Sequence, residues 1–148
     1  MFLVAAKLSQ MNLIALITSR NTKGYDIVVL DPLTNRGKGI QVKCTDRKEF
    51  PVMQSFLKDY EQEIQKKIMS DFVLVDISKP DKPRFFIVPL EEMKIVVKKN
   101  IEQWMYNSPH RKSIVEMKKN EEKKQQWVLD LDDIEKYENN WKSLIDSI

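Results

Sequence analysis

Residues 24–30 (GYDIVVL) and 39–44 (GIQVKC) are two apolar runs of strand length, and they decide the fold of this chain. Residues 31–37 between them read DPLTNRG and are dense in residues that favour turns. The pattern predicts a β-hairpin. Alternation in its second strand places Gln41 and Lys43 on one face and the apolar residues on the other.

Polar side chains enter this predicted hairpin at three positions. Asp26 opens the first strand and is the only charged residue of that run. The hairpin would therefore bring an acid (Asp26), an amide (Gln41) and an amine (Lys43) together. A structural interpretation stays open for each: Asp26 would cap a turn or bond the Asn21–Gly24 loop, and the other two would form the exposed face of an edge strand, where lysine discourages aggregation.

Length and composition predict one globular domain. The chain has 148 residues, of which 42% are hydrophobic and 32% charged, which is enough to build a core with a solvated surface. Three glycines in total argue against a glycine-rich phosphate loop. Cys44 is the single cysteine, so no disulfide forms within the chain, and we expect a reducing, cytoplasmic location.

The first 17 residues are apolar enough to be considered as an export signal. They lack a basic start and a small-residue cleavage site, and polar residues interrupt them. No run approaches the roughly 20 apolar residues that a membrane-spanning helix needs. We therefore expect an amphipathic helix followed by a strand, and no membrane partner.

Charge is unevenly distributed along the chain. The formal net charge is +3, but residues 130–148 carry six acids and two lysines, a net charge of −4. The rest of the chain is basic. A basic body with an acidic tail fits a polyanionic partner, and it fits a solvated surface almost equally well.

The remaining pattern predicts an α-β-β-β-α-β-β-α order with a helical tail, hence an α/β (α+β) fold in which helices flank a mixed sheet. We assign residues 1–104 to the core and 105–148 to a loop and helical extension packing on the same domain. The predicted elements are a helix from residue 2, a buried strand at 13–17, the hairpin, an irregular segment at 45–51, a helix over 53–69, strands at 72–77 and 84–89, a helix from 90 to about 104, a loop or partly helical segment over 105–126, and a final helix capped by Asp132 or Asp133.

Asp26, followed fifteen positions later by Gln41-Val42-Lys43 in an α-β-β-β-α-β order, resembles the PD-(D/E)xK nuclease-like superfamily, which has the restriction-endonuclease-like fold. In that superfamily an Asp at the second strand and a Glu/Asp/Gln-x-Lys on the third form the active site. The resemblance spans nearly the whole chain. The motifs that resemble a bacterial branch with the Gln variant are residues 20–26, 40–43, 86–89, 140–141 and Trp104.

The resemblance implies a metal-dependent phosphodiesterase or endonuclease-like protein that acts on DNA and uses Mg²⁺ or Mn²⁺. Asp26, Gln41 and Lys43 would be the catalytic residues. The metal ligands would be the Asp26 carboxylate, the Gln41 side-chain carbonyl and the backbone carbonyl of Val42, since Mg²⁺ prefers oxygen ligands. Lys43 would hold the attacking water or stabilise charge on the phosphate.

The first helix departs from the pattern of the resembling branch. That branch carries an acid just ahead of an Ala-Ala-x-Leu segment, whereas residues 4–8 (VAAKL) follow no Glu here. Either the chain starts further upstream or a metal ligand has been lost. The second case would leave a catalytically weak or inactive nucleic-acid-binding module of the same fold.

Basic and polar residues flank the predicted hairpin. We predict that they bind nucleic-acid phosphates, with a merely solvated surface as the equal alternative. These residues are Arg20, Asn21, Lys23, Arg47 and Lys48.

A protein from another functional class also fits the sequence. A structural or protein-interaction subunit, as a homodimer, would use the acidic tail for docking. DNA remains the expected partner, and retention on DNA that weakens with salt would separate the two cases.

Overall fold

A computed structural model describes residues 1–19, 23–56, 59–107 and 125–148. In this part of the chain, helices flank a five-stranded mixed sheet, and a separate two-stranded sheet covers part of one face. The predicted mixed sheet with flanking helices is thus confirmed. In chain order the elements are α1 (Phe2–Gln10), β1 (Ile14–Ile17), β2 (Ile27–Asp31), β3 (Arg36–Thr45), β4 (Glu49–Ser55), α2 (Tyr60–Lys67), β5 (Asp71–Asp76), β6 (Arg84–Val88), α3 (Leu90–Asn107), β7 (Gln125–Asp130), α4 (Leu131–Ile134), a 3-10 turn (Glu135–Tyr137) and α5 (Trp141–Ile145).

The large sheet has the strand order β1-β2-β3-β5-β6. Its neighbours pair antiparallel, except that β3 runs parallel to β5. A parallel pair needs a long crossover connection, and here that connection contains β4 and α2. The smaller sheet pairs β4 with β7.

The sheet separates two hydrophobic clusters because successive side chains of a strand point to opposite faces. One face carries the cluster that we call the α1 cluster, and the other carries the α3 cluster. Main members of the α1 cluster are Val4, Leu8, Ile27, Ile40, Val73, Val75, Trp141 and Leu144. Main members of the α3 cluster are Phe50, Phe72, Leu74, Phe86, Met93, Val97, Trp127 and Leu129.

The predicted hairpin is confirmed as β2 and β3, which pair from Ile27 opposite Ile40 to Asp31 opposite Arg36. Asp31 closes the turn, since its carboxylate accepts hydrogen bonds from the Leu33 N–H and the Thr34 hydroxyl, both at 2.9 Å. The turn itself is shorter than the predicted segment because β3 begins at residue 36.

The prediction for residues 45–69 was wrong in its first part. We expected an irregular segment followed by a helix from residue 53, but β4 occupies Glu49–Ser55 and α2 begins only at Tyr60. Pro51 argues against a strand in sequence. It is tolerated because β4 pairs only with β7 among the described strands, and the register shifts between Pro51 and Met53.

At both ends of residues 105–126, the structure also differs from the predicted loop or partial helix. Helix α3 continues to Asn107, and Gln125 and Gln126 begin strand β7. Residues 108–124 lie outside the described residues.

Strand β1 is present but not buried as predicted. It is the edge strand of the large sheet, and the side chains of Ile14 and Leu16 are 44% and 51% exposed. The apolar run predicts a buried strand because a sequence pattern does not show which strand lies at the edge of a sheet.

The predicted final helix is broken into α4, the 3-10 turn and α5. Asn139 between the last two has a φ of +54°, which a continuous helix does not allow. The N-cap of α4 is Asp130 and not Asp132 or Asp133 as predicted; Asp133 lies at the third helical position, where its carboxylate accepts a hydrogen bond from the Asp130 N–H at 3.0 Å. None of the helices described is both long and apolar enough to cross a bilayer.

Candidate functional site

The candidate site lies where β2 and β3 diverge. Pairing between the two strands ends at Ile27 and Ile40, whereas β3 continues to Thr45. Over residues 41–45 the described strand partner of β3 is β5 alone. On its β2 side this stretch therefore has no strand partner among the described residues, and we call this side the open side of β3.

Asp26 stands at the point of divergence and is held by its backbone on both sides. Its N–H donates to the Ile40 carbonyl at 2.8 Å, and its own carbonyl accepts from the Thr18 N–H at 3.0 Å. Its carboxylate oxygen Oδ2 accepts a hydrogen bond from the Val42 N–H at 2.8 Å. The side chain thus takes the place that a neighbouring strand would otherwise occupy.

The chain reaches Asp26 through a conformation that requires glycine. Gly24 has a φ of +92°, in the region that side-chain-bearing residues rarely adopt. Its carbonyl accepts a hydrogen bond from the Ser70 hydroxyl at 2.7 Å, which fixes this approach to the start of β5. The approach and the divergence of the strands together fix the position of the carboxylate.

Gln41 and Lys43 lie on one face of β3, as the alternation predicts. Their parallel partners on β5 are Phe72 and Leu74, which belong to the α3 cluster. Both polar side chains are half-buried, and neither has a hydrogen-bond or ion-pair partner among the residues that the structure describes. A half-buried amine without a partner at an apolar margin is well placed to receive an anion.

Val42 adds a backbone group to the same edge. The N–H and C=O of one residue in an extended strand point to the same side, and the Val42 N–H points to Asp26. The Val42 carbonyl therefore also faces the open side of β3.

The Asp26 carboxylate thus lies against the backbone of Val42, the residue between Gln41 and Lys43, where the pairing of β2 and β3 ends. The structural interpretation of Asp26 is met in part, since its carboxylate does cap a backbone N–H. The donor is the Val42 N–H of β3, and part of the Asn21–Gly24 loop lies outside the described residues.

The donor set fits a weakly held hard cation. Asp26 supplies one carboxylate, Gln41 one amide oxygen and Val42 one carbonyl, and Mg²⁺ is commonly held through one or two carboxylates while it keeps several waters. Across the described ranges there is no group of three or more His, Cys, Asp and Glu side chains that could form a metal site. Any cation here would rely on water and on substrate oxygens for most of its coordination.

The residues predicted to bind phosphate lie in different places relative to the candidate site, and two of them are not described. Arg20 and Asn21 lie outside the described residues. Lys23 is exposed and stands three positions before Asp26. Arg47 and Lys48 are also exposed but follow the far end of β3, and Arg47 has the Asp46 carboxylate at 3.9 Å.

Cys44 is not a nucleophile candidate. It lies on the opposite face of β3 from Lys43, and partial burial together with the carboxylates of Asp46 and Asp76 raises the pKa of its thiol. A raised pKa keeps the thiol protonated at neutral pH, whereas reactive cysteines need a lowered one.

Tyr25 was missed in the sequence. Its ring lies on Gly39, where a Cβ would come within 2.6 Å of the ring carbon Cγ. The signal that could have found it is Gly39 itself, because a glycine inside a strand often marks a close approach of another group.

Comparisons with known proteins leave the relationship of the chain open. No family model, no curated protein and no solved structure matches it. The resemblance to the PD-(D/E)xK superfamily therefore stays a prediction that rests on residues and their order.

Proposed function

We propose that this chain is a metal-dependent phosphodiesterase of the nuclease type that acts on DNA, with the restriction-endonuclease-like fold. The observation that carries the proposal is the bond from the Val42 N–H to the Asp26 carboxylate where β2 and β3 diverge, with Gln41 and Lys43 on either side of Val42 along β3. The order of α1, three antiparallel strands, a crossover with a helix and a parallel strand supports it.

Asp26, Gln41 and the Val42 carbonyl would hold Mg²⁺ or Mn²⁺. When bound, such an ion lowers the pKa of a coordinated water and polarises a phosphoryl oxygen. The Val42 N–H holds one oxygen of the Asp26 carboxylate in place, and the other oxygen would bind the cation. Gln41 adds no charge, and we therefore expect the affinity for the cation to be low.

Lys43 would bind a phosphate oxygen and stabilise the negative charge that grows during cleavage. Its neighbours Phe72 and Leu74 exclude water from one side, and a charge acts more strongly where the surroundings are less polar. Because Lys43 has no carboxylate partner in the described part of the chain, its charge is available to a ligand.

The exposed lysine at residue 23 would extend phosphate binding beyond the site. It precedes Asp26 by three residues and is free to contact the backbone of a nucleic acid. Contacts of this kind give affinity without sequence preference and weaken as salt rises.

Nicking of plasmid and single-stranded DNA in Mg²⁺ or Mn²⁺ tests the proposal. We expect the wild-type protein to cleave and Lys43→Ala to lose at least about a hundredfold in rate, since it removes transition-state charge stabilisation. Lys142→Ala is the matched control, because Lys142 is an exposed lysine of α5 on the opposite side of the sheet. Equal rates for both variants would refute the assigned site.

A non-catalytic DNA-binding module is the second candidate. The observation that favours it is the presence of one carboxylate at the site with no cluster of acids around it in the described ranges. If the wild-type protein never cleaves but binds DNA in a salt-dependent way that Lys43→Ala weakens, this candidate replaces the first. Absence of any salt-dependent retention on DNA would instead favour a protein-interaction subunit.

A further inference from the structure

Tyr25 presents an aromatic ring beside the candidate site without belonging to either hydrophobic cluster. Its side chain is 38% exposed, and its hydroxyl has no hydrogen-bond partner among the residues described. One side of the ring is occupied by Gly39, since a Cβ there would lie 2.6 Å from Cγ and 2.8 Å from Cδ1. A large aromatic side chain is thus held in place and left partly open to solvent.

The ring lies on the same face of β3 as the polar site residues. Positions 39, 41 and 43 alternate with the buried positions 40 and 42, and the Cβ direction at Gly39 is the one that meets Tyr25. Successive positions on one face of a strand are about 7 Å apart. The ring, the Gln41 amide and the Lys43 amine therefore follow one another along one strand face, with the Asp26 carboxylate at its edge.

We propose that Tyr25 stacks on a nucleobase and makes the site selective for unpaired nucleotides of single-stranded DNA. This inference rests on the proposed function. Lys43 is about 14 Å along β3 from Gly39, so a phosphate bound at Lys43 would bring a base one or two nucleotides further along the strand over the Tyr25 ring. Bases inside a duplex are already stacked on each other and do not offer a face to this ring, whereas single strands are commonly held by aromatic platforms beside basic groups.

The packing between Tyr25 and Gly39 has a cost that a purely structural role leaves unexplained. Glycine in the interior of a strand weakens the strand, and the ring that it accommodates contributes to neither cluster. A role in holding the ring rigidly beside the site would explain both the tyrosine at 25 and the glycine at 39. Every base has an aromatic face, so this contact would bind any sequence.

Binding of a fluorescein-labelled oligo-dT and of a blunt duplex of the same length tests the inference by anisotropy at fixed salt. We expect Tyr25→Ala to weaken binding of the single strand about tenfold and to leave duplex binding unchanged. Tyr25→Phe, which keeps the ring, should bind like the wild-type protein. Gly39→Ala keeps Tyr25 but displaces its ring, so it should weaken single-strand binding in the same direction.

Lys43→Ala separates failure of this inference from failure of the proposed function. It should weaken binding of both DNAs, because it removes a phosphate contact. If Lys43→Ala weakens both while Tyr25→Ala changes neither, or changes both equally, the stacking role is overturned and the proposed function stands. If the wild-type protein binds neither DNA, both are overturned. Thermal melting of each variant shows whether a loss of binding comes from unfolding. If Tyr25→Ala is unfolded, single-strand binding by Tyr25→Phe is compared with that by Gly39→Ala instead.

Discussion

The proposed function gives the Asp26 carboxylate a chemical role beside the structural one that the fold shows. One oxygen caps the Val42 N–H, which has lost its strand partner where β2 and β3 diverge. The charge would serve the phosphodiester chemistry. The substitution Asp26→Asn separates the two roles, because an amide can still accept the hydrogen bond but carries no charge.

Asp26→Asn should therefore abolish cleavage and change the free energy of unfolding by less than about 0.5 kcal/mol. Asp26→Ala should abolish cleavage and also cost about 1 kcal/mol, because the Val42 N–H is left without its acceptor. Urea denaturation beside the nicking assay measures both quantities. Equal stability of the two variants would show that the hydrogen bond contributes little, and residual cleavage by either would contradict the catalytic assignment.

The ionisation of Glu138 makes the stability of the fold depend on pH in the acidic range. Hydrogen bonds from the Arg84 guanidinium, at 2.9 and 2.7 Å, hold the pKa of this carboxyl below its ordinary value of 4.5, and burial opposes them more weakly. A lowered pKa means that the stabilisation is present above the unfolded value and is lost as pH falls through the folded one. The pair ties β6 to the residues after the 3-10 turn.

Glu138→Gln should therefore lower stability at pH 7 and lose less stability than the wild-type protein when the pH falls below about 4.5. Glu135→Gln is the matched control, because Glu135 is 72% exposed and lies 3.9 Å from the same arginine. Urea midpoints between pH 3 and 7 measure the effect. Parallel pH profiles for wild type and Glu138→Gln would refute it.

At the scale of elements, the pair of β4 and β7 carries a buried polar contact. The Trp127 indole N–H donates to the Ser55 hydroxyl at 2.7 Å, and both residues are buried. This bond connects the two strands of the smaller sheet within the α3 cluster, to which Trp127 belongs. Removing the acceptor would leave a buried donor unsatisfied.

Ser55→Ala should cost about 1–2 kcal/mol of unfolding free energy. Gln54→Ala, one residue earlier, removes an exposed hydrogen bond to Gln126 and should cost less than about 0.5 kcal/mol. Denaturant titration of both variants checks the difference. A cost for Gln54→Ala as large as that for Ser55→Ala would show that strand pairing, and not burial of the indole, sets the energy.

Elements with local signals could be predicted from the sequence. The hairpin, α1, β5, β6 and α3 follow from apolar periodicity and turn residues close in sequence. The pairing of β4 with β7 could not be predicted, because their partners lie about 75 residues apart and Pro51 argues against a strand. The exposure of β1 was missed for a related reason, since edge position is a property of the whole sheet.

The candidate site also has features that could be predicted from the sequence and features that could not. Asp26, Gln41 and Lys43 were predicted together because one hairpin carries all three. The bond from Val42 to Asp26 was not predicted, since it depends on where the two strands separate. Tyr25 was missed because its ring reaches across to Gly39 on the neighbouring strand.

At the scale of the molecule, one sheet supports both clusters. Strand β5 gives Phe72 and Leu74 to the α3 cluster and Val73 and Val75 to the α1 cluster. Asp71 adds a buried connection: its carboxylate accepts from the Lys38 amine at 2.7 Å and from the Leu90 N–H at 2.9 Å. Neither cluster can lose the sheet without exposing the other.

The two clusters should therefore unfold together. Trp141 reports the α1 cluster, whereas Trp104 and Trp127 report the α3 cluster, where their rings lie 5.5 Å apart. Trp141→Phe leaves only the tryptophans of the α3 cluster, and the double variant Trp104→Phe/Trp127→Phe leaves only that of the α1 cluster. In each variant, tryptophan fluorescence and far-UV circular dichroism should give the same urea midpoint. Separated midpoints in either variant would show two independent units.

Calorimetric titration with Mn²⁺ tests the central claim most directly, because it detects the site without requiring turnover. The account predicts weak binding of one ion per chain by the wild-type protein and no binding by Asp26→Asn. Gln41→Glu adds a second carboxylate beside Asp26 and should tighten binding at least tenfold, or about 1.4 kcal/mol. Equal heats for the wild-type protein, Asp26→Asn and Gln41→Glu would contradict the claim that these residues form a metal-dependent phosphodiester site.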